Sequence, residues 1–189
     1  MLRDSLPRPA RVLEIASGTG EHARFFKALG EASDYLQFAV KLALATGMRR
    51  QEILSLSDDG VNWRDRAILL QALDTKTATA RVVHLNAHAL AALKSWKLRG
   101  TNGEFFPGER ECWEDRLTKR EWKRLCKDAE VTDLHFHDCR HHFAVMLRKT
   151  GAPLEVVREA LGHASITQTE KYAHVGPSEV KAAVERTSG

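Results

Sequence analysis

Four short segments hold the residues whose types and spacing suit chemistry. They are Thr46-Gly47-Met48-Arg49, Thr75-Lys76, His137-Asp138-Cys139-Arg140, and Leu161-Gly162-His163 with Tyr172 nine residues beyond the histidine. Together they supply guanidinium and ammonium charges, a pair of titratable imidazoles and one phenol, a set suited to nucleophilic attack on a phosphodiester without a metal. A guanidinium meets phosphate oxygens two at a time and keeps its charge. Two separated arginines can therefore clamp a pair of non-bridging oxygens as negative charge builds. The nucleophile that the set offers is the phenol of Tyr172.

The elements that must position these groups are legible from periodicity. Tyr35, Leu36, Ala39, Val40 and Ala43 recur at helical spacing after a Ser33 or Asp34 cap, which predicts a buried helix. Gly47 ends it, and Arg49 opens a second helix running through Leu54. Glu52, three residues on, shares a helical face with Arg49; it either holds that guanidinium in place or is an exposed helix carboxylate. Between Val61 and Leu85 the period changes: "AILLQAL" and "ARVVHL" flank a polar turn, Asp74 to Thr79, and predict a small antiparallel sheet with Lys76 at a hairpin tip. Asn86 to Leu98 reads as an amphipathic helix, and Phe105-Phe106-Pro107 as a buried strand or anchor. About Glu114 to Glu130 a further helix sets Leu117, Trp122, Leu125 and Ala129 on one side and crowds Lys119, Arg120, Lys123, Arg124 and Lys127 on the rest. That basic face either tracks a DNA backbone or is merely solvated.

On the helix Asp138 to Thr150, packing through Cys139, Phe143, Met146 and Leu147 would fix His137 and Arg140 at the N-terminal end, where amides and macrodipole favour an anion. His137 and His141 stand four apart, a zinc-like spacing, but no HExxH motif is completed and no metal site is expected. Pro153 starts the next helix, Gly162 ends it, Ser165 or Thr167 caps a short helix carrying Tyr172, and a last helix spans Ser178 to about Arg186. The expected class is mainly α with a small antiparallel sheet, α+β.

"TGMRRQEIL", "TKTATARVVHL", "FHDCRHHFA" and "LGHASITQTEKYAHV" stand in this order, and at these residues the chain resembles the catalytic domain of the tyrosine recombinases, the phage-integrase family. The resemblance runs from about Ala32 to Arg186. It selects Arg49 over Arg50, because the family's arginine follows Thr-Gly-x directly. It implies the recombinase catalytic-domain fold and a site-specific recombinase, an integrase that cleaves and rejoins DNA strands through a 3′-phosphotyrosyl link. Tyr172 would be the nucleophile and Lys76 would protonate the leaving 5′ oxygen. Arg49, Arg140 and His163 would neutralise developing charge, and His137 would accept or relay a proton. No cofactor is implied; the partner is double-stranded DNA, on which such a chain forms a homotetramer. Two alternatives share these residues: a DNA-binding remnant without efficient catalysis, and type IB topoisomerase-like activity.

The first thirty residues read differently. "ARVLEIASGTGEHARFF" is a short apolar strand running through Gly18-Thr19-Gly20 into a helix, similar to the first motif of class I methyltransferases, where a glycine turn admits S-adenosylmethionine at a helix N-terminus. One strand and one helix cannot make a doubly wound sheet, and no βαβ alternation follows. Residues 1–30 are thus expected to be a foreign N-terminal segment, not a complete domain, with residues 31–189 forming the recombinase-like domain; no N-terminal DNA-clamping domain is read in that segment. The 189 residues are 43% apolar and 29% charged with a net charge of +4, ordinary for one globular domain and mildly favourable to a nucleic-acid partner. Three scattered cysteines argue against a disulfide framework. With no apolar run near the ~20 residues a bilayer requires and no signal-peptide pattern, the expected location is cytoplasmic and no membrane partner is expected.

Overall fold

The computed structural model describes residues 20–71, 80–97 and 103–173 of the chain. Helix α1 (Gly20–Glu31) leads into α2 (Asp34–Thr46), which Ser33 caps by accepting the Leu36 amide at 3.2 Å. Leu36, Phe38, Ala39, Val40, Leu42, Ala43 and Thr46 of α2 are all buried. A helix so apolar around its circumference has to run through the interior, and α2 packs between α4 (Ala87–Lys97) and α7 (Asp138–Lys149). It stops at Gly47, whose φ of 65° is left-handed and whose absent Cβ would lie 2.4 Å from Phe143 Cδ1. Only glycine meets both demands.

Beyond the five-residue helix α3 (Arg50–Leu54) lies a three-stranded antiparallel sheet, β1 (Val61–Asn62), β2 (Ala67–Leu70) and β3 (Arg81–His84), in that spatial order. Ile68 pairs with Val83 and both are buried, while the neighbouring pair Leu69 and Val82 is exposed, the alternation of a sheet with one face on the core. Lys76, between β2 and β3, lies outside the described residues, as do the expected C-terminal helix and residues 1–19.

Helix α4 starts where Asn86 accepts the Ala89 amide at 2.9 Å, and Leu93 and Trp96 face inward. The basic helix begins earlier than its periodicity suggests. It runs from α5 (Arg110–Glu114) through a π-helical stretch (Asp115–Glu121) into α6 (Trp122–Asp128). The Trp122 amide reaches the Leu117 carbonyl, five residues back. Then come α7, α8 (Leu154–Leu161), capped at Gly162 with φ 62°, and two 3-10 turns, Ile166–Gln168 and Glu170–Tyr172. The short helix expected to carry Tyr172 is of the 3-10 kind, Ser165 caps the 3-10 turn before it, and Pro153 is the N-terminal cap of α8.

Two apolar clusters form. The larger joins α1, α2, the sheet, α4, α5 and α6; the smaller gathers Ala144, Val145, Val157, Leu161 and Tyr172. Two expectations are corrected here. Phe25 and Leu29 of α1 are 3% and 2% exposed inside the larger cluster, and Arg24 Nε donates to the Ala129 carbonyl at 3.2 Å. From Gly20 on, the segment read as foreign is part of this core, so no boundary falls at Gly30-Glu31. Helix α7 packs through Cys139, Phe143 and Leu147 as expected, but Met146 is 43% exposed and Arg140, Ala144 and Arg148 are buried in addition. Its buried guanidinium groups find carbonyl partners, Arg148 at Ala152 and Tyr172, which makes a charged stripe an acceptable inner face. Among the described residues no helix is long and apolar enough to cross a membrane.

Candidate active site

The left-handed turn that ends α8 brings the Gly162 and His163 amides onto the Glu159 and Arg158 carbonyls and leaves those of Ala160, Leu161 and Gly162 to other partners. Three guanidinium groups from three other parts of the chain supply partners in succession. Arg81 Nη1, from the start of β3, donates to the Ala160 carbonyl at 2.7 Å; Arg140 Nη2, from the first turn of α7, donates to Leu161 at 2.5 Å; Arg49 Nη2, from the turn before α3, donates to Gly162 at 3.0 Å. Cations also suit the negative end of a helix dipole. Arg140 reaches across to the other left-handed turn as well, with Nη1 on the Gly47 carbonyl at 2.7 Å.

Glu52 ties two of these arginines together. Its carboxylate accepts the Arg49 amide at 2.7 Å, Arg49 Nη1 at 2.8 Å and Arg81 Nη2 at 2.7 Å, and it is 1% exposed. Burial would raise its pKa, but the adjacent Arg81 charge and the bonds from Arg49 outweigh burial and hold it below the usual carboxylate range. Of the two readings open from sequence, the buried clamp describes Glu52. Burial, then the charge of Arg49, acts against the charged form of Arg140, yet a guanidinium retains its proton in such surroundings.

Both candidate imidazoles stand beside this cluster. His163 follows Gly162 directly, and its Nδ1 is 2.9 Å from the hydroxyl of buried Thr169, leaving Nε2 as the remaining ring nitrogen. Burial, then Arg140, lowers its pKa to about 4. His137 sits at the cap of α7, and burial followed by Arg140 lowers its pKa too. Burial and the neighbouring guanidinium groups both disfavour added positive charge here.

Tyr172 is 1% exposed, its ring is in the smaller core, and its hydroxyl is hydrogen-bonded to Nδ1 of His141. Burial raises the phenol's pKa well above its ordinary value. Lys171 Nζ lies 5.1 Å from the ring centre, its own pKa lowered by burial and then by Arg140.

Arg49, Glu52, Arg140 and His163 thus meet at one place, with His137 close enough to feel Arg140, Lys171 and Arg49. Lys76 lies outside the described residues. Side chains of the basic helix are engaged within that helix instead. Lys119 and Arg120 both pair with Asp115 at 3.1 Å, Arg124 with Asp128 at 3.6 Å, and Lys123 is exposed. Among the described residues no group of three or more His, Cys, Asp or Glu is placed to hold a metal ion. Arg81, His141 and Thr169 were not singled out for this site from sequence. Arg81 carries a usable signal: it is two residues before buried Val83 on the same strand, so a charge occupies an inward position of the alternation.

The model of the phage integrase family matches residues 21–179. This chain belongs to the phage integrase family. Among its curated relatives, the integrase of Salmonella phage P22 is 29% identical over 163 residues, 79% of this chain and 42% of the relative. Tyrosine recombinase XerC of Erythrobacter litoralis is 33% identical over 153 residues, 77% and 48% of the two chains. This member spans about half the length of the curated relatives it matches. The fold is likewise that of the family. The catalytic domain of bacteriophage HP1 integrase superposes with a TM-score of 0.63 at 26% identity, over 86% of this chain and 90% of that one. The XerH recombinase bound to its difH substrate gives 0.66 at 24%, over 86% and 51%.

Proposed function

We propose that the chain is the catalytic part of a site-specific DNA recombinase, an integrase that cleaves and rejoins strands of double-stranded DNA through a 3′-phosphotyrosyl intermediate. The observation that carries the reading is the meeting of Arg49 and Arg140 on adjacent carbonyls, Gly162 and Leu161, directly before His163 and in the same segment as Tyr172. A phosphodiester bound there would have two guanidinium groups and an imidazole around its non-bridging oxygens. The Tyr172 oxygen attacks phosphorus as the bond to the 5′ oxygen breaks. Lys76 gives a proton to that leaving oxygen, and His137 accepts or relays the proton of the phenol. The ester formed keeps the energy of the bond broken, so a second strand's 5′ hydroxyl can reverse the step without ATP.

On this reading Lys119, Arg120, Lys123 and Arg124 follow the DNA backbone and make binding salt-dependent, four protomers assemble on paired sites, and the protein works in the cytoplasm. The DNA complexes of related recombinases, such as XerH bound to difH, support a DNA partner. Residues before Gly20 are proposed to lie outside the recombinase domain. The test is a nicked duplex carrying the target site, scored for covalently attached protein. Tyr172→Phe should abolish the adduct and leave non-covalent DNA affinity nearly unchanged, since one hydroxyl is removed; an adduct that persists in the variant overturns the assignment. The burial of Tyr172 favours a second reading, a DNA-binding chain that cleaves inefficiently, and the same assay returns it when the unsubstituted protein binds the duplex but forms no adduct.

A further inference from the structure

His141 takes no part in the chemistry proposed above, yet its ring is the group that meets the Tyr172 hydroxyl. It lies one helical turn beyond His137 and stands edge-on to it, ring centres 4.8 Å apart at 89°, while its own centre is 5.9 Å from that of Tyr172. The phenol ring belongs to the same core cluster as Val145, Val157 and Leu161, all fully buried. A hydroxyl carried to the end of such a pocket costs free energy unless something pairs with it. Among the described residues, Nδ1 of His141 is what pairs with it.

We propose that His141 is the positioning residue of Tyr172, a latch that keeps the hydroxyl inside the fold until the phenol turns out toward a phosphate. The inference rests on Tyr172 being the nucleophile. Two facts make the contact a latch rather than a base. The imidazole is desolvated and faces Lys171, His137, Arg140 and His163, which all oppose its gaining a proton, and its pKa falls to about 3. The phenol's pKa is pushed the opposite way. Both shifts oppose proton transfer between them, so the bond is one between neutral groups, and the latch takes Nδ1 as the acceptor of the phenol O–H. A neutral hydrogen bond is also weak enough to be exchanged when an anion arrives.

The chain contains two tyrosines, Tyr35 and Tyr172, so nitration of the full chain with tetranitromethane, without DNA and read peptide by peptide, reports each separately. His141→Leu removes the acceptor; His141→Asn keeps a polar atom near the position of Nδ1. We expect Tyr172 nitration to rise roughly fivefold in His141→Leu, the factor that one neutral hydrogen bond gives, and to stay near the unsubstituted level in His141→Asn, with Tyr35 constant throughout. Equal protection in His141→Leu, or equal exposure in both variants, overturns the latch. Nitrogen NMR of the unsubstituted chain gives a reading that needs no variant: the proton of the His141 ring on Nε2, with Nδ1 accepting, supports the latch, and a proton on Nδ1 overturns it. The DNA adduct assay separates the two readings. An adduct formed while Tyr172 of His141→Leu stays protected removes the latch and leaves the nucleophile; no adduct at all, whatever the nitration pattern, removes the nucleophile and the latch's purpose with it.

Discussion

At the scale of single residues, the cluster is defined by where its charges are already committed. Arg140 gives one donor to Gly47 and one to Leu161, and Arg49 gives one each to Glu52 and Gly162. What remains of each fork points from a frame that a lysine cannot reproduce, because an ammonium reaches along one direction and has no planar pair of donors. Arg49→Lys and Arg140→Lys should each lower DNA cleavage by on the order of a hundredfold, as removal of one oxyanion donor does; near-normal adduct formation by both would sink the clamp. The imidazoles make a separate expectation. His163 and His141 have folded pKa values of about 4 and about 3, below the 6.5 of a free histidine, so the unfolded chain binds protons more readily than the folded one. Stability contributed by their neutral forms is complete above pH 6.5 and is lost as the pH falls from there toward 4 and 3. Thermal melts should move down between pH 7 and pH 5, and less so in His163→Asn; a flat profile over that range would contradict the lowered values.

At the scale of elements, the site depends on a glycine where β3 crosses the end of α8. A Cβ on Gly162 would lie 2.5 Å from Arg81 Cδ, and φ there is 62°. Gly162→Ala should therefore force Arg81 off the Ala160 carbonyl, cost about 1–3 kcal/mol, and reduce cleavage through Glu52 and Arg49; melting and adduct formation measured together would show whether the two losses travel as a pair. Much of this frame was legible in the sequence. Gly47 after an apolar helix, Glu52 one turn past Arg49, and two apolar runs that pair as antiparallel strands each carry a local rule that the structure obeys. What was not legible needed partners distant in sequence. Arg81 meets residues 29 and 79 positions away, and α7 turns Arg140 and Arg148 inward because carbonyls of other elements await them. The π-helical stretch was hidden for a local reason: the apolar pattern asks for Leu117 and Trp122 on one side of the helix, which a regular α-helix does not provide. Leu117 and Trp122, five apart, stand well apart around an α-helix of 3.6 residues per turn, but the wider turn lets both be buried at 1% and 4%.

At the scale of the molecule, the N-terminal part was misjudged because a Gly-Thr-Gly turn attracted more weight than the apolar residues behind it. Phe25 and Leu29 stand four apart and both enter the larger core. Removing residues 1–19 should leave the melting temperature unchanged, whereas removing residues 1–30 should cost at least about 5 kcal/mol, the loss expected for a buried phenylalanine and leucine together. Equal melts for the two truncations would return α1 to the status of an appendage. The smaller core poses another question, since Tyr172 is one of its five buried members. If that ring has to leave its pocket to cut DNA, then tighter packing by Val145, Val157 or Leu161 makes the protein hardier and the enzyme slower. Selection for heat resistance and selection for turnover would pull the same few methyl groups in opposite directions, and the rate of strand cutting could drift over evolution without a change in any charged residue.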